Sequence, residues 1–158
     1  MGLQESKANF FWILRKKRIL IILDEGFEEQ IKGRNIVVKQ WVDKRQILKH
    51  QCVEGFLISH CGWNSALESI CYRVLILAWP MIAEQALNAR MVVEEFKVGR
   101  RVELTCNGMK PGFLKWEGLI KMVKELMEGV LMGRQVRKRV KEVAELAKMA
   151  MADSDGSF

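Results

Sequence analysis

His60-Cys61-Gly62-Trp63-Asn64-Ser65 places an imidazole, a thiol, an amide and a hydroxyl side by side, after the apolar run Gly55 to Ser59 and before helix-forming Ala66-Leu67-Glu68. Ser65 and Glu68 have the S-x-x-E spacing of a capping box, which predicts a helix start at Ser65. A strand that ends in a tight, Gly-containing turn and enters a helix points free backbone N–H groups and a positive dipole end at the strand's C-terminal edge. Open α/β sheets bind ligands at that edge. Gly62 lets a ligand approach the backbone, and His60, Asn64 and Ser65 add neutral or cationic donors. A phosphate or diphosphate suits such a site. Singly, each element is equally at home in a purely structural role: a helix cap, a turn glycine, a core histidine, or, for Trp63 and Trp79, packing at a sheet edge.

The elements that must position these groups alternate along the first two-thirds of the chain. Asn9 to Leu14, Ile36 to Val38, Gly55 to Ser59 and Val74 to Ala78 read as strands, and Arg45 to His50, Ser65 to Tyr72 and Glu84 to Phe96 as helices. Alternating βαβα with near-continuous apolar strands implies a parallel sheet covered on both faces. Ile19 to Leu23, before the acidic stretch Asp24 to Glu29, fits either a strand or a buried loop. In the last third, Trp116, Leu119, Ile120, Val123, Met127 and Val130 recur at helical spacing, as do Val136, Val140, Val143, Ala147 and Ala150. Gly129 and Gly133 are expected to separate these two helices. Residues 1–152 read as one domain and 153–158 as a frayed tail.

Composition narrows the function classes. The chain has 158 residues, 49% of them apolar, and a formal charge of +7, so a disordered charged tail is excluded. The longest apolar stretch, Val74 to Ala83, contains Pro80 and falls short of the ~20 residues of a bilayer span. Basic residues are spread along the chain, and the densest run, Arg15 to Arg18, reads as a solvated turn rather than a nucleic-acid patch. Four cysteines (Cys52, Cys61, Cys71, Cys106) without a CxxC pair, and two histidines, make a poor zinc inventory. Met1, Gly2 and Ser6 match the loose myristoylation pattern. No secretory pattern is present, so reduced thiols and a cytoplasmic setting are expected.

Taken together, Trp41…Ile47-Leu48-Lys49-His50…Gly55-Phe56…His60-Cys61-Gly62-Trp63-Asn64-Ser65…Glu68-Ser69…Trp79-Pro80…Glu84-Gln85…Asn88 resembles the signature box of plant family 1 UDP-glycosyltransferases. The resemblance continues through Phe10 to Arg15, Gly26-Phe27-Glu28-Glu29 and the Lys115 to Glu128 helix. It extends to Gly2 to Asn9, which resembles the end of an interior helix and so counts against myristoylation. It implies an α/β fold: a Rossmann-like parallel sheet with helices on both faces, the C-terminal half of a GT-B architecture, followed by two C-terminal helices. The N-terminal, acceptor-binding domain of the family is missing.

By this resemblance Trp41 would stack on uracil, Val42 would offer its backbone to the uracil edge, and Glu68 would accept from the ribose hydroxyls. His60, Gly62, Asn64 and Ser65 would hold the diphosphate. Trp63, Glu84 and Gln85 would reach the sugar, with Gln85 suggesting glucose. The family transfers sugar with inversion to an acceptor hydroxyl, such as that of a flavonoid or other phenolic, using UDP-glucose or another UDP-sugar and no metal or further cofactor. Its catalytic His–Asp pair lies in the missing domain, so neither His50 nor His60 is assigned as the base. The partners implied are a UDP-sugar and a small-molecule acceptor, with no nucleic acid and no membrane.

Three departures from the family pattern bear on this reading. Lys44 replaces the usual Gln near the uracil. Arg73 and Leu75 replace a small residue and a proline. Phe56-Leu57-Ile58-Ser59-His60 is one residue longer than the pattern, which flips strand side chains unless a bulge absorbs it. The family's first donor-domain strand is also absent, which leaves an unpaired sheet edge. The alternative reading is a catalytically inactive relative that serves as a UDP-binding or interaction module.

Overall fold

The computed structural model describes residues 7–13, 33, 35–53, 55–82, 84–103, 116–127 and 131–154. Several sequence expectations lie outside them: Gly2 and Ser6, Leu14, Arg15 to Arg18, Ile19 to Leu23, Asp24 to Glu29, Cys106, Lys115, Glu128 to Val130 and residues 155–158.

Among the described residues, five short parallel strands carry the fold: β1 (Phe11–Ile13), β2 (Ile36–Val38), β3 (Phe56–Ser59), β4 (Leu75–Ala78) and β5 (Gly99–Arg101). They form two sheets among the described residues, one of order β1-β2 and one of order β3-β4-β5. Doubly wound sheets run 3-2-1-4-5-6. If β1 and β2 stand second and third and β3 to β5 stand fourth to sixth, the break between the sheets falls at the place of the first strand. β1 and β3 each pair with a single described neighbour, and Phe11 and Ile13 are exposed on β1. Among the described residues the strands are thus divided between β1-β2 and β3-β4-β5.

β4 is buried at all four residues. Successive strand side chains face opposite sides, so this strand is covered on both. Around it gather Ile70, Val92, Val98, Met122, Leu126 and Val140 as the core. β5 is not anticipated by the sequence, because Gly99-Arg100-Arg101 carries no apolar alternation; it forms because its backbone continues the ladder beside β4.

Helices α1 (Lys44–Lys49), α2 (Trp63–Cys71), α3 (Gln85–Arg90), α4 (Trp116–Met127) and α5 (Leu131–Ser154) fill the connections and the C-terminal third. Asp43 caps α1 by accepting from the Arg45 amide at 3.0 Å. Helix α3 passes into a π-helical turn over Met91–Glu95. Two expectations change here. Gly133 lies inside α5 rather than between the last helices: a Cβ there would stand 2.9 Å from the Glu125 carbonyl oxygen, so this glycine lets α5 pass close to the end of α4. Helix α5 also takes in Asp153 and Ser154, which the sequence assigns to the tail.

At Arg73 the chain adopts φ 60°, and the Arg73 and Val74 amides bond the Ile70 and Ser69 carbonyls at 2.9 and 2.8 Å. That is a Schellman closure of α2 with arginine in the left-handed position glycine normally takes. Arg73 also pairs with Glu145 of α5, while Leu75 is fully buried. The replaced turn thus still delivers the chain into β4.

Candidate functional site

The site is built at the carboxyl edge of the parallel strands, from the segments that follow β2, β3 and β4. Strand β3 runs in continuous register with β4 from Phe56↔Leu75 to Ser59↔Ala78. The longer strand is accommodated without a bulge in these four residues, with Ser59 buried and His60 exposed at the end. The Trp79 amide bonds the Ser59 carbonyl at 2.7 Å, which brings the segments leaving β3 and β4 together.

The turn between β3 and α2 is set by Cys61 and Gly62. Its left-handed residue is Cys61, at φ 62°, and not the glycine. Gly62 has φ −59°, open to any residue, and a Cβ there would meet only the exposed His60 ring, at 2.8 Å from Nε2. A non-glycine residue in the left-handed region costs about 1–2 kcal/mol, and two buried hydrogen bonds hold Cys61 there. Its amide donates to Ser59 Oγ at 3.0 Å, and its carbonyl accepts from Asn88 Nδ2 at 3.0 Å. Burial pushes the Cys61 thiol up to about 11. Asn88, which the sequence placed in the box without a role, and Ser59 are thus the residues that shape the turn. A buried amide one turn into α3 is invisible to sequence spacing until the helix is docked.

Helix α2 begins at Trp63, with Gly62 as its cap residue and no side-chain cap. This corrects the expected start at Ser65: the capping box does not form, because Ser65 already lies within the first turn. Ala66 makes the first intrahelical bond, to the Gly62 carbonyl at 3.1 Å, so the amides of residues 63–65 have no carbonyl one turn back. Trp63 and Asn64 are exposed, which leaves this helix start facing solvent rather than packed protein.

Ser65 and Glu68 meet Lys44 from α1. Lys44 Nζ donates to Ser65 Oγ at 2.9 Å and stands 3.0 Å from Glu68 Oε2. Glu68 Oε2 is shielded from solvent and accepts no hydrogen bond among the described residues; the lysine meets it as an ion pair without hydrogen-bond alignment. Trp41, three residues before Lys44, is 87% exposed, and Val42 is half-buried. Beyond β4, Glu84 is exposed and Gln85 is half-buried, its Oε1 accepting from the Met81 and Ile82 amides at 3.0 and 3.2 Å. That anchors the loop at the start of α3.

The structure therefore brings Lys44, Ser65 and Glu68 into direct contact and sets His60, Gly62, Trp63 and Asn64 along the adjoining turn. Trp41, Val42, Glu84 and Gln85 stand on neighbouring segments of the same edge. Cavities of about 370 and 310 Å³ lie elsewhere, the first lined by Gln46, Lys49, His50, Gln51 and Cys52 and the second by residues of α5 and Lys97. His50 Nδ1 accepts from the Cys52 amide at 3.3 Å. Neither histidine has a carboxylate partner among the described residues. No described helix is long and apolar enough to cross a membrane.

Residues 2–136 match the family model described as UDP-glucoronosyl and UDP-glucosyl transferase. The chain is 53% identical over 156 residues to UDP-glycosyltransferase 90A1 of Arabidopsis thaliana, covering 99% of this chain and 32% of that protein. It is 46% identical over 158 residues to UDP-glycosyltransferase 90A2 of the same plant, with the same coverage. Among solved structures it is similar to Phytolacca americana UGT2 complexed with UDP-2fluoro-glucose and pterostilbene, at a TM-score of 0.80 and 35% identity over 93% of this chain and 32% of that one. The chain spans about a third of the length of these relatives, and its parallel α/β architecture is the Rossmann-like C-terminal half of a GT-B fold. With its sheet order, its strand-to-helix turn and this match in agreement, the chain belongs to the UDP-glucoronosyl and UDP-glucosyl transferase family.

Proposed function

We propose that this chain is the donor-binding part of a UDP-dependent glycosyltransferase, with UDP-glucose as the donor and a hydroxyl of a small plant metabolite as the acceptor. The observation that carries the reading is the uncapped start of α2 at the strand edge, with Ser65 and the Glu68 carboxylate gathered beside it by Lys44. Glu68 keeps 28% of its side chain exposed, so its carboxylate can also accept from a ribose hydroxyl. The diphosphate then falls on the amides of residues 63–65 with His60, Asn64 and Ser65 around it, where the helix dipole favours negative charge. Trp41 offers an open indole face to the uracil, with the Val42 backbone at the base edge. Trp63, Glu84 and Gln85 line the sugar end. The same donors stabilise the charge that builds on the departing UDP.

By the family resemblance the His–Asp pair that removes the acceptor proton lies in the acceptor-binding domain, so the part of this chain in the reaction is to hold the donor. The solved relative carries both UDP-2fluoro-glucose and pterostilbene, which supports a UDP-sugar with a phenolic acceptor for the longer protein. Calorimetric titration with UDP tests the reading. Trp41→Ala is expected to weaken binding about 5- to 150-fold, from a stacking contribution of about 1–3 kcal/mol, with Glu68→Gln also weaker. Equal affinity for UDP in the parent and Trp41→Ala chains would refute the site. Measured transfer to a phenolic acceptor by this chain would refute the division of labour. UDP binding with no transfer, even when the rest of a longer protein is supplied, would favour the binding-module reading.

A further inference from the structure

Lys44 brings an ammonium to the start of a helix and pairs there with a carboxylate. Its ammonium is held by Ser65, the third residue of α2, at the end of the helix where the macrodipole is positive. The first turn of α2 contains no acidic residue; Glu68, one turn further in, places its Oε2 3.0 Å from the ammonium and balances part of its charge. Two sources of positive potential, the helix start and the ammonium, therefore converge on one point of the open edge. The ammonium has three donors. One goes to Ser65 Oγ and one side faces Glu68 Oε2, and the side chain remains 42% exposed.

We propose that Lys44 is a ligand-contacting cation that recognises the phosphate next to the ribose and makes the site select phosphorylated nucleosides over free ones. The inference rests on the donor-site reading above. Glu68 would hold the ribose and Ser65 the phosphate, and Lys44 joins those two residues, so its remaining donor reaches the junction between sugar and phosphate. The hydrogen bond it adds there is charge-assisted, about twice as strong as one from a neutral amide. The opposing possibility is that Lys44 acts as a plug, occupying Glu68 and excluding the ribose.

Uridine, UMP and UDP are titrated calorimetrically into the parent chain and into Lys44→Gln and Lys44→Met, with thermal midpoints measured to verify folding. The expected result is a loss of about tenfold for UMP and UDP in both variants, with uridine changed by less than about twofold. Raising the salt concentration should weaken UDP binding more in the parent chain than in Lys44→Gln. An equal loss for uridine and UDP would overturn the proposal and make Lys44 a structural clamp; tighter UDP binding in Lys44→Gln would overturn it in favour of the plug. A parent chain that binds UDP, with both variants binding UDP and UMP as tightly as it does, refutes the lysine alone. A parent chain that binds none of the three ligands refutes the donor-site reading with it.

Discussion

Gly99→Ala should be among the most damaging single-methyl additions to this fold. A Cβ at Gly99 would stand 2.4 Å from the Ile76 carbonyl oxygen, 2.9 Å from Val92 Cγ1 and 3.1 Å from Ile76 Cβ. Ordinary contact begins near 3.4 Å, so the carbonyl must retreat by about 1 Å. It has nowhere to go: Ile76 is fully buried in β4, and the interior is close-packed. The ladder on either side is also fixed, with the Ile76 amide on the Val98 carbonyl at 3.3 Å and the Val102 amide on the Ala78 carbonyl at 2.8 Å. Overpacking costs about 1–3 kcal/mol, and a backbone obstacle puts this case at the upper end. At about 2–4 °C per kcal/mol for a chain of this size, the thermal midpoint should fall by about 6–12 °C. Gly118→Ala is the control. It lies in the first turn of α4, and a Cβ added there would meet nothing within 4 Å, so helix propensity alone should raise stability by up to ~1 kcal/mol. Thermal melts followed by circular dichroism measure both. A Gly99→Ala midpoint within about 2 °C of the parent, or a Gly118→Ala loss as large as that of Gly99→Ala, would refute the steric argument.

The two environments of the thiols predict opposite reactivities. Cys52 is exposed, while Cys61 is fully buried with its thiol pushed up to about 11, which leaves it about 100-fold less thiolate than a free cysteine at neutral pH. Peptide mapping after brief alkylation should find Cys52 modified and Cys61 protected until the chain is unfolded. The Cys61 value in the fold lies above its ordinary 9.0, so its contribution to stability is complete below about pH 9 and is lost as pH rises toward about 11. Urea midpoints should decline over that window, and Cys61→Ala should flatten the decline. Asn88→Ala leaves the Cys61 carbonyl without its buried donor, and should cost about 1–3 kcal/mol in urea unfolding. It should also weaken UDP binding, because the turn that presents the amides of residues 63–65 loses its anchor; unchanged UDP affinity would show that the turn holds without it.

Much of the fold was legible from local pattern. The apolar runs at Ile36 to Val38 and Val74 to Ala78 and the helical spacing from Trp116 to Met127 each form the element their periodicity implies, because burial on one face or two imposes that periodicity directly. The failures share a cause. Gly99-Arg100-Arg101 pairs through its backbone, which leaves no trace in side-chain type. Ser65 and Glu68 have capping-box spacing, yet α2 starts two residues earlier, because the chain leaves Cys61 in a left-handed turn held from α3. Gly133 reads as a helix break and is a point of close helix crossing instead.

The sequence by itself determined the class of fold and the residue types gathered at the strand edge, since both follow from spacing along one dimension. Only the tertiary structure decided which of those residues touch. The Lys44 ammonium on Ser65 and Glu68, and the Asn88 amide on Cys61, cross 21 to 27 residues of chain. Contacts across such separations exist only once the helices have packed on the sheet. The grouping of the described strands into β1-β2 and β3-β4-β5 is likewise a fact of three dimensions, because hydrogen bonding between strands depends on which backbones lie side by side and not on their order in the chain.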